Sequence, residues 1–149
     1  MPRRDPYVSY RFLVEIDREV VAHFSECSGL TAETEVEEFQ EGGENALRRK
    51  LPKAAKWGAL TLKRGLADST LLWDWYLARS KGDFQKGPRK SIAVILWDVN
   101  IADQVWRWDF ADAYPTKWTG PELKGDANAV ALETLEFAHS GLTSSEARA

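Results

Sequence analysis

One long, charged segment between two strand-like stretches constrains this chain more than any other feature. It runs from Gly29 to Gly65, reads GLTAETEVEEFQEGGENALRRKLPKAAKWGALTLKRG, and resembles β-strand only near its two ends. Its middle joins an acidic half, residues 33–44, to a basic half, residues 48–56. Compact domains rarely contain loops longer than about 15 residues unless the loop has a function. We therefore expect an arm that leaves its own domain and completes its folding on a neighbouring molecule.

The composition indicates one globular domain. A length of 149 residues suits a single core, and contents of 44% apolar and 29% charged residues are those of a soluble, folded chain. The formal net charge of −3 does not favour specific nucleic-acid binding. The single cysteine, Cys27, excludes an intramolecular disulfide and is better explained as a small buried side chain than as a nucleophile.

Neither a signal peptide nor a membrane anchor is predicted. Residues 1–6 carry charges and prolines with no apolar stretch behind them, and no run approaches the roughly 18 apolar residues of a membrane-spanning helix. We expect synthesis in the cytoplasm and a single domain over residues 1–149. Residues 1–6 would form a flexible lead and residues 143–149 a flexible tail.

Most of the chain shows the two-residue period of β-strands. Strands are predicted over residues 7–17, 20–28, 31–39, 57–64, 91–99 and 104–111. They follow one another in pairs rather than alternating with helices. This order predicts a mainly β fold, an antiparallel β-sandwich or barrel, with one flanking α-helix.

The helix is predicted to begin at a cap formed by Asp68 or Ser69 and to end at Gly82. Residues 114–126 are rich in proline and glycine and are expected to form an irregular connection. Residues 128–139 are ambiguous, and their alanine, leucine and glutamate content favours a helix.

Candidate catalytic residues are few. His23 and His139 lack the neighbouring ligands or carboxylates of a metal site, so each is better explained as a structural histidine. The glutamates between residues 33 and 41 are too dense to form a catalytic pair with separated pKa values, and solvated charge explains them better. Gly-x-Ser-x-Gly and phosphate-loop motifs are absent from the sequence. We therefore predict no enzymatic activity, no cofactor and no metal.

Six short motifs follow one another along the chain. They are FLVEID at 12–17, FSECSGL at 24–30, EGG at 41–43, KLP at 50–52, TLKRG at 61–65 and AYPTKW at 113–118. In order and spacing they resemble the tail tube family of contractile phage tails and phage-derived extracellular contractile injection systems. The resemblance covers residues 7–142. Arg18 and Glu19 depart from it, because they occupy a turn in which the family usually has a glycine.

The resemblance implies a structural function. Tail tube subunits close into hexameric rings, and the rings stack into a hollow tube that a contractile sheath drives through a target envelope. The implied partners are further copies of the chain, the sheath protein, baseplate and terminal tube proteins, and a cargo or tape-measure protein in the lumen. The resemblance also implies that residues 128–137 form a strand rather than a helix.

Two sets of candidate assembly residues follow. Residues 40–56 would form an arm between rings, with contacts from Glu41, Gly42, Gly43, Glu44, Arg48, Arg49 and Lys50. Its acidic and basic halves would set the register between rings, and the paired glycines would allow a tight turn at its tip. The candidate residues facing the lumen are Glu33, Glu35, Glu37, Thr61 and Lys63.

Two alternative functions stay open. The first is the secreted ring protein of type VI secretion, which shares the implied architecture. The second is a small β-barrel that binds an apolar ligand with its tryptophans, which a monomer with ligand-quenched tryptophan fluorescence would favour. An enzyme is the least favoured class, and only an activity lost on replacement of His23 or His139 would support it.

Overall fold

The structure is a computed structural model that describes residues 11–21, 24–40, 48–66, 70–98, 103–126 and 131–146, of which 37–40 and 48–53 are described in backbone only. Its elements are β1 Phe12–Ile16, β2 Glu19–Val21, β3 Glu26–Ser28, β4 Ala32–Gln40, β5 Arg48–Trp57, β6 Leu60–Gly65, α1 Leu71–Ser80, β7 Lys90–Asp98, β8 Asp103–Thr119, β9 Leu132–Ala138 and β10 Gly141–Glu146. The strand pairs are antiparallel. The predicted class, mainly β with one helix, is confirmed.

Strand β8 is long enough to belong to two sheets. Its first half, up to Ala113, pairs with β7 and with β10, and its second half, from Tyr114, pairs with β9. We call β2-β1-β7-β8-β10 sheet I and β8-β9-β6-β3 sheet II. Strands β4 and β5 form a separate two-stranded sheet, which we call the arm. The body of the protein is therefore a sandwich whose two sheets diverge from one shared strand.

The passage of β8 from sheet I to sheet II explains one wrong prediction. Residues 114–119 were expected to be irregular but continue β8, whereas residues 120–126 are irregular as expected. Asp112 has a positive φ of 50°, which bends the strand at the transition. Pro115 lies beside a register shift, the kind of position at which a strand tolerates a residue without an N–H.

The helix predicted over residues 128–139 is wrong, and the strand that the resemblance implies is confirmed by β9. Residues 127–130 lie outside the described residues. Glu133, Leu135 and Phe137 alternate with more exposed neighbours along β9 and are buried. Because β9 pairs with β6 on one side and β8 on the other, two rows of backbone hydrogen bonds outweigh its helical composition.

Two further strands were predicted as continuous but are interrupted. The range 20–28 contains β2 and β3, which belong to different sheets. The range 57–64 contains the end of β5 and most of β6, separated at Gly58 and Ala59. In each case one continuous alternating pattern is divided between two sheets. The alternation alone does not show where the division falls.

The structure describes the start of the predicted tail and the C-terminal end of the predicted helix. The flexible tail expected from residue 143 is wrong for residues 143–146, which pair with β8 as part of β10. The predicted caps Asp68 and Ser69 lie outside the described residues, and Thr70 precedes the first helical residue. Gly82 follows the helix with a positive φ of 77°, which confirms the predicted C-terminal glycine.

The core lies between the inner faces of the two sheets and beneath the helix. Its fully buried members from the strands are Val14, Leu60, Leu62, Ile92, Val94, Phe110, Leu135 and Phe137. Helix α1 adds Leu72 and Trp75, and the Trp75 ring lies 5.5 Å from that of Phe137. The indole N–H of Trp75 donates a 2.8 Å hydrogen bond to the carbonyl of Pro88, which ties the following loop to the body.

Candidate assembly interfaces

The arm stands apart from the rest of the protein. Its two strands pair with each other and with neither large sheet. Its described side chains at residues 32–36 and 54–56 are exposed, and Trp57 at its base is half-buried. A two-stranded hairpin is at best marginally stable in water without a surface to pack on. The arm is therefore a hairpin that neither large sheet supports by strand pairing.

Acidic residues of β4 lie opposite basic residues of β5 in the backbone register of the arm. Glu33 lies opposite Lys56, and Glu38 lies opposite Lys50. Glu35 also forms an ion pair with Lys56. The acidic and basic strands of the arm therefore pair with each other within one chain. The sequence analysis predicted complementarity only between the arms of different rings.

The structure places only part of the predicted arm set. Arg48, Arg49 and Lys50 begin β5, in register with the last residues of β4. The tip residues Glu41 to Glu44 lie outside the described residues. Their predicted contacts with another ring stay a prediction.

The chain enters and leaves the arm at two glycines, Gly29 and Gly58, where the two segments lie close together. Gly29 has a φ of 91°, and a Cβ at this position would lie 1.9 Å from the carbonyl oxygen of Ala59. A Cβ at Gly58 would lie 2.1 Å from Oγ1 of Thr31. Backbone of Ala59 occupies the space beside Gly29, and the side chain of Thr31 occupies the space beside Gly58, so neither position has room for a Cβ. The glycines therefore determine where the arm leaves the body.

Replacing Gly29 by alanine should destabilise the protein by more than replacing Gly82 by alanine. Both glycines have positive φ, but a Cβ at Gly82 would meet nothing within 4 Å. Gly82→Ala should therefore cost only the conformational strain, about 1–2 kcal/mol, while Gly29→Ala adds a backbone clash. Urea unfolding of the two variants measures the difference in the free energy of unfolding. Equal losses would contradict the close approach of Gly29 to the backbone of Ala59.

His139 fastens the base of the arm to the body. Its Nε2 lies 3.1 Å from the carbonyl oxygen of Gly58, to which it donates when protonated. Its ring packs edge-on against Phe110 with the centroids 4.8 Å apart, and lies 6.1 Å from the ring of Trp57. This contact supports the structural interpretation of His139. His23 lies outside the described residues.

One face of sheet II carries two polar rows, which the pair Gly65 and Leu132 borders on one side. Cross-strand register gives a first row of Glu26, Lys63, Thr134 and Thr119, and a second row of Ser28, Thr61, Glu136 and Lys117. Within the first row, Nζ of Lys63 lies 3.3 Å from Oε2 of Glu26. Because side chains alternate along each strand, the opposite face holds the buried residues of the core.

The predicted lumen residues fall in two different places. Thr61 and Lys63 lie on the polar face of sheet II. Glu33 and Glu35 lie on the arm, as does Glu37, which is described in backbone only. Sequence alternation identified polar positions but could not separate the arm from the sheet, because both have a period of two.

An apolar cleft of about 340 Å³ lies beside β3. Its wall in sheet I is formed by Phe12, Val94, Leu96 and Trp108. Cys27 of β3 lines the other side, and the cleft extends around the edge of β3 to Thr61 and Lys63. The sandwich is therefore incompletely filled at one edge of sheet II. No sequence signal identified this cleft.

Alkylation of Cys27 should be slow in the folded protein. Burial raises the pKa of the Cys27 thiol from its ordinary 9.0 to about 11, so at pH 8 the thiolate should be about 100-fold scarcer than in the unfolded chain. Since the folded-state pKa is the higher one, stability relative to Cys27→Ser should hold below pH 9 and decline as the pH rises towards 11. Iodoacetamide rates in the presence and absence of urea measure the first effect, and equal rates would contradict it.

A buried ion pair was missed by the sequence analysis. Arg64 and Glu133 are 3% and 5% exposed and form an ion pair through Nε and Oε1. The indole N–H of Trp118 donates a 3.1 Å hydrogen bond to the second carboxylate oxygen, Oε2. The Arg64 guanidinium also lies 5.9 Å from the ring centroid of Phe24. Each residue occupies a position on its strand that alternates with the more exposed ones and is otherwise apolar. The sequence contains no pattern that shows the two residues in contact.

Neither a metal site nor a membrane-spanning helix is found in the described part of the chain. No group of three or more histidine, cysteine, aspartate or glutamate residues there is arranged to hold a metal ion. None of its helices has the length and apolar character to cross a membrane.

The sequence model of one protein family matches residues 8–143, and its description is T4-like virus tail tube protein gp19. The chain belongs to this family. The match spans nearly all of the chain, so the predicted resemblance is confirmed and a structural tube subunit is the function that the family supports. No curated protein matches the sequence.

Solved tube-like proteins share the fold. A chain in the six-fold symmetrised structure of the anti-feeding prophage baseplate is 24% identical with a TM-score of 0.82, covering 99% of this chain and 100% of that one. A chain in the sheath–tube complex of the PVC extracellular contractile injection system is 23% identical with a TM-score of 0.81, covering 95% and 92%. Hcp1 from Flavobacterium johnsoniae is 13% identical with a TM-score of 0.56, covering 89% and 93%.

Proposed function

We propose that this tail tube protein is the inner-tube subunit of a contractile injection system or phage tail, and that it forms stacked hexameric rings around a lumen. The observation that carries the proposal is the construction of sheet II. Its four strands have a buried face towards the core and a polar face towards the outside. Such a sheet can line a water-filled channel without further covering.

The two edges of sheet II support ring closure. In the described residues, β3 pairs only with β6, and the second half of β8 pairs only with β9. The strands alternate in direction from β8 to β3, so β8 of a second copy would continue the alternation beside β3. This contact joins two different surfaces, and such a heterologous contact generates a ring when its rotation closes. Pairing also removes two exposed edges that would favour aggregation.

The polar rows of sheet II would then face the lumen. This supports Thr61 and Lys63 as lumen residues and adds six further candidates, Glu26, Ser28, Lys117, Thr119, Thr134 and Glu136. Glu33, Glu35 and Glu37 are reassigned to the arm. Each row contains one lysine and one glutamate, so we expect a lumen of alternating charge through which a cargo or tape-measure protein passes.

The arm would contact the adjacent ring, as predicted for residues 40–56. Its exposed faces and its lack of pairing with the body support an intermolecular role. The neighbouring structures come from a baseplate, a tube-terminating cap and a sheath–tube complex. By analogy we propose a contractile sheath protein and baseplate and terminal tube proteins as partners, in a particle that drives the tube through an envelope.

The secreted ring protein of type VI secretion remains the second candidate. The likeness to Hcp1 from Flavobacterium johnsoniae, with a TM-score of 0.56, favours a shared architecture. The proposed ring is common to both candidates.

Negative-stain microscopy with light scattering on the purified protein tests the proposal. We expect six-membered rings or stacked hollow tubes. If the protein is monomeric, co-expression with the neighbouring sheath and baseplate genes should incorporate it into tubes. A monomer that still joins no tube, and whose tryptophan fluorescence an apolar ligand quenches, would instead establish a ligand-binding barrel.

A further inference from the structure

The cleft beside β3 lies at the edge where ring closure would place a second copy. Its sheet I wall combines the nearly buried Val94 and Leu96 with the half-buried rings of Phe12 and Trp108. Apolar surface of this kind, open at a sheet edge, is stabilised when another apolar group excludes water from it. The group that fills the cleft depends on the proposed ring, in which a second copy lies against this edge.

The segment that would arrive at the cleft is determined by strand direction. In sheet II, β8 and β6 run one way and β9 and β3 run the other. A second copy's β8 beside β3 would therefore run antiparallel to it. The segment that follows β8, residues 120–126, would then be carried past the beginning of β3, where Ser25 and Glu26 line the cleft.

This segment presents one prominent apolar side chain. Leu123 is 81% exposed, the highest exposure among the large hydrophobic residues of the described chain. It is flanked by Glu122 and Lys124, which form a 3.5 Å ion pair with each other. The flanking charges are thus paired locally, while the leucine between them contacts water.

We propose that Leu123 of each subunit inserts into the cleft beside β3 of the next subunit in the ring. The cleft and Leu123 are separate surfaces of one chain, as a closed heterologous ring requires. An apolar anchor in a pocket with a polar surround is also the arrangement that dominates interface energies. Leu123 is therefore the specificity-determining contact between neighbouring subunits.

Cross-linking in the assembled protein tests this contact. Cys27 is the only natural cysteine and lines the cleft, so Leu123→Cys alone creates a pair that a disulfide or a short bifunctional maleimide can join across subunits. We expect most subunits to shift into a ladder of covalent oligomers that ends at the closed ring. Because burial suppresses the Cys27 thiolate, the pair Ser25→Cys with Leu123→Cys in a Cys27→Ser background provides a more exposed second test.

Two controls make the result specific. Phe84→Cys places a thiol on another exposed apolar position, 61% exposed, in the loop after α1, and should give no ladder. Leu123→Asp should raise the concentration at which rings form by about tenfold or more, while the monomer unfolds as before.

The outcomes separate this contact from the ring itself. Rings that form normally with Leu123→Asp, and that give no ladder with either cysteine pair, overturn the contact and leave the proposed function intact. A wild-type protein that assembles neither alone nor with its sheath and baseplate proteins overturns both. A ladder from either pair, absent with Phe84→Cys, supports the contact.

Discussion

Replacing Glu133 by alanine should lower the free energy of unfolding by about 3–5 kcal/mol, because the positive charge of Arg64 would stay buried without its carboxylate. Glu133 is 5% exposed and Arg64 is 3% exposed, so the guanidinium has little access to bulk water. The substitution also removes the acceptor of the Trp118 indole N–H. Urea unfolding followed by tryptophan fluorescence measures the loss.

Two controls separate the charge from the packing at this site. Thr134→Ala changes the adjacent residue on the polar face and should alter stability by less than about 0.5 kcal/mol. The double variant Arg64→Met with Glu133→Leu removes both charges and should recover most of the stability lost in Glu133→Ala. A double variant as unstable as Glu133→Ala would show that the loss does not come from removing the Glu133 carboxylate beside the Arg64 charge.

Shortening the arm should abolish tubes while rings survive. The variant replaces residues 38–50 with Asn-Gly, which joins Glu37 to Leu51 by a two-residue hairpin turn. These two residues lie opposite each other in the arm, so the shortened hairpin keeps its register. If the arm is the contact between rings, sedimentation should lose the tube fraction entirely, and microscopy should show single rings.

The folding of the shortened variant provides its control. Because the arm pairs with neither large sheet, the shortened variant should keep a circular dichroism spectrum and a urea midpoint close to those of the full chain. Tubes that persist with the shortened arm would exclude it as the contact between rings. A variant that loses both rings and tubes but stays folded would place the arm within the ring instead.

The turn between β1 and β2 shows how local sequence can depart from a family pattern without changing the fold. Asp17 and Arg18 both have positive φ, 52° and 67°, as a tight two-residue hairpin turn requires. The family usually has a glycine in this turn, but this chain forms the turn with Asp17 and Arg18. Pairing of β1 with β2 and β7 provides the register, so the strain at two residues is tolerated.

The candidate site was only partly predictable. Alternation correctly separated the buried and polar positions of β6, and thus identified Thr61 and Lys63. It could not reveal that β6 pairs with β3 and β9, which brings Glu26 and Glu136 onto the same face. The cleft beside β3 was also hidden, because its residues come from segments distant in sequence, including Phe12, Cys27 and Trp108.

The sequence by itself determined the β character of the chain, the helix that ends at Gly82, the unusual segment from Gly29 to Gly65 and the family to which these belong. These features depend on local periodicity, glycine positions and motif order. The tertiary structure alone decided that β8 serves two sheets and that Arg64 meets Glu133 in the core. It also shows why residues 132–138 form the strand that the family resemblance implied and the local composition did not. Those outcomes depend on hydrogen bonds and charges between residues far apart in the chain, whose free energy exceeds local preference and which no local pattern contains.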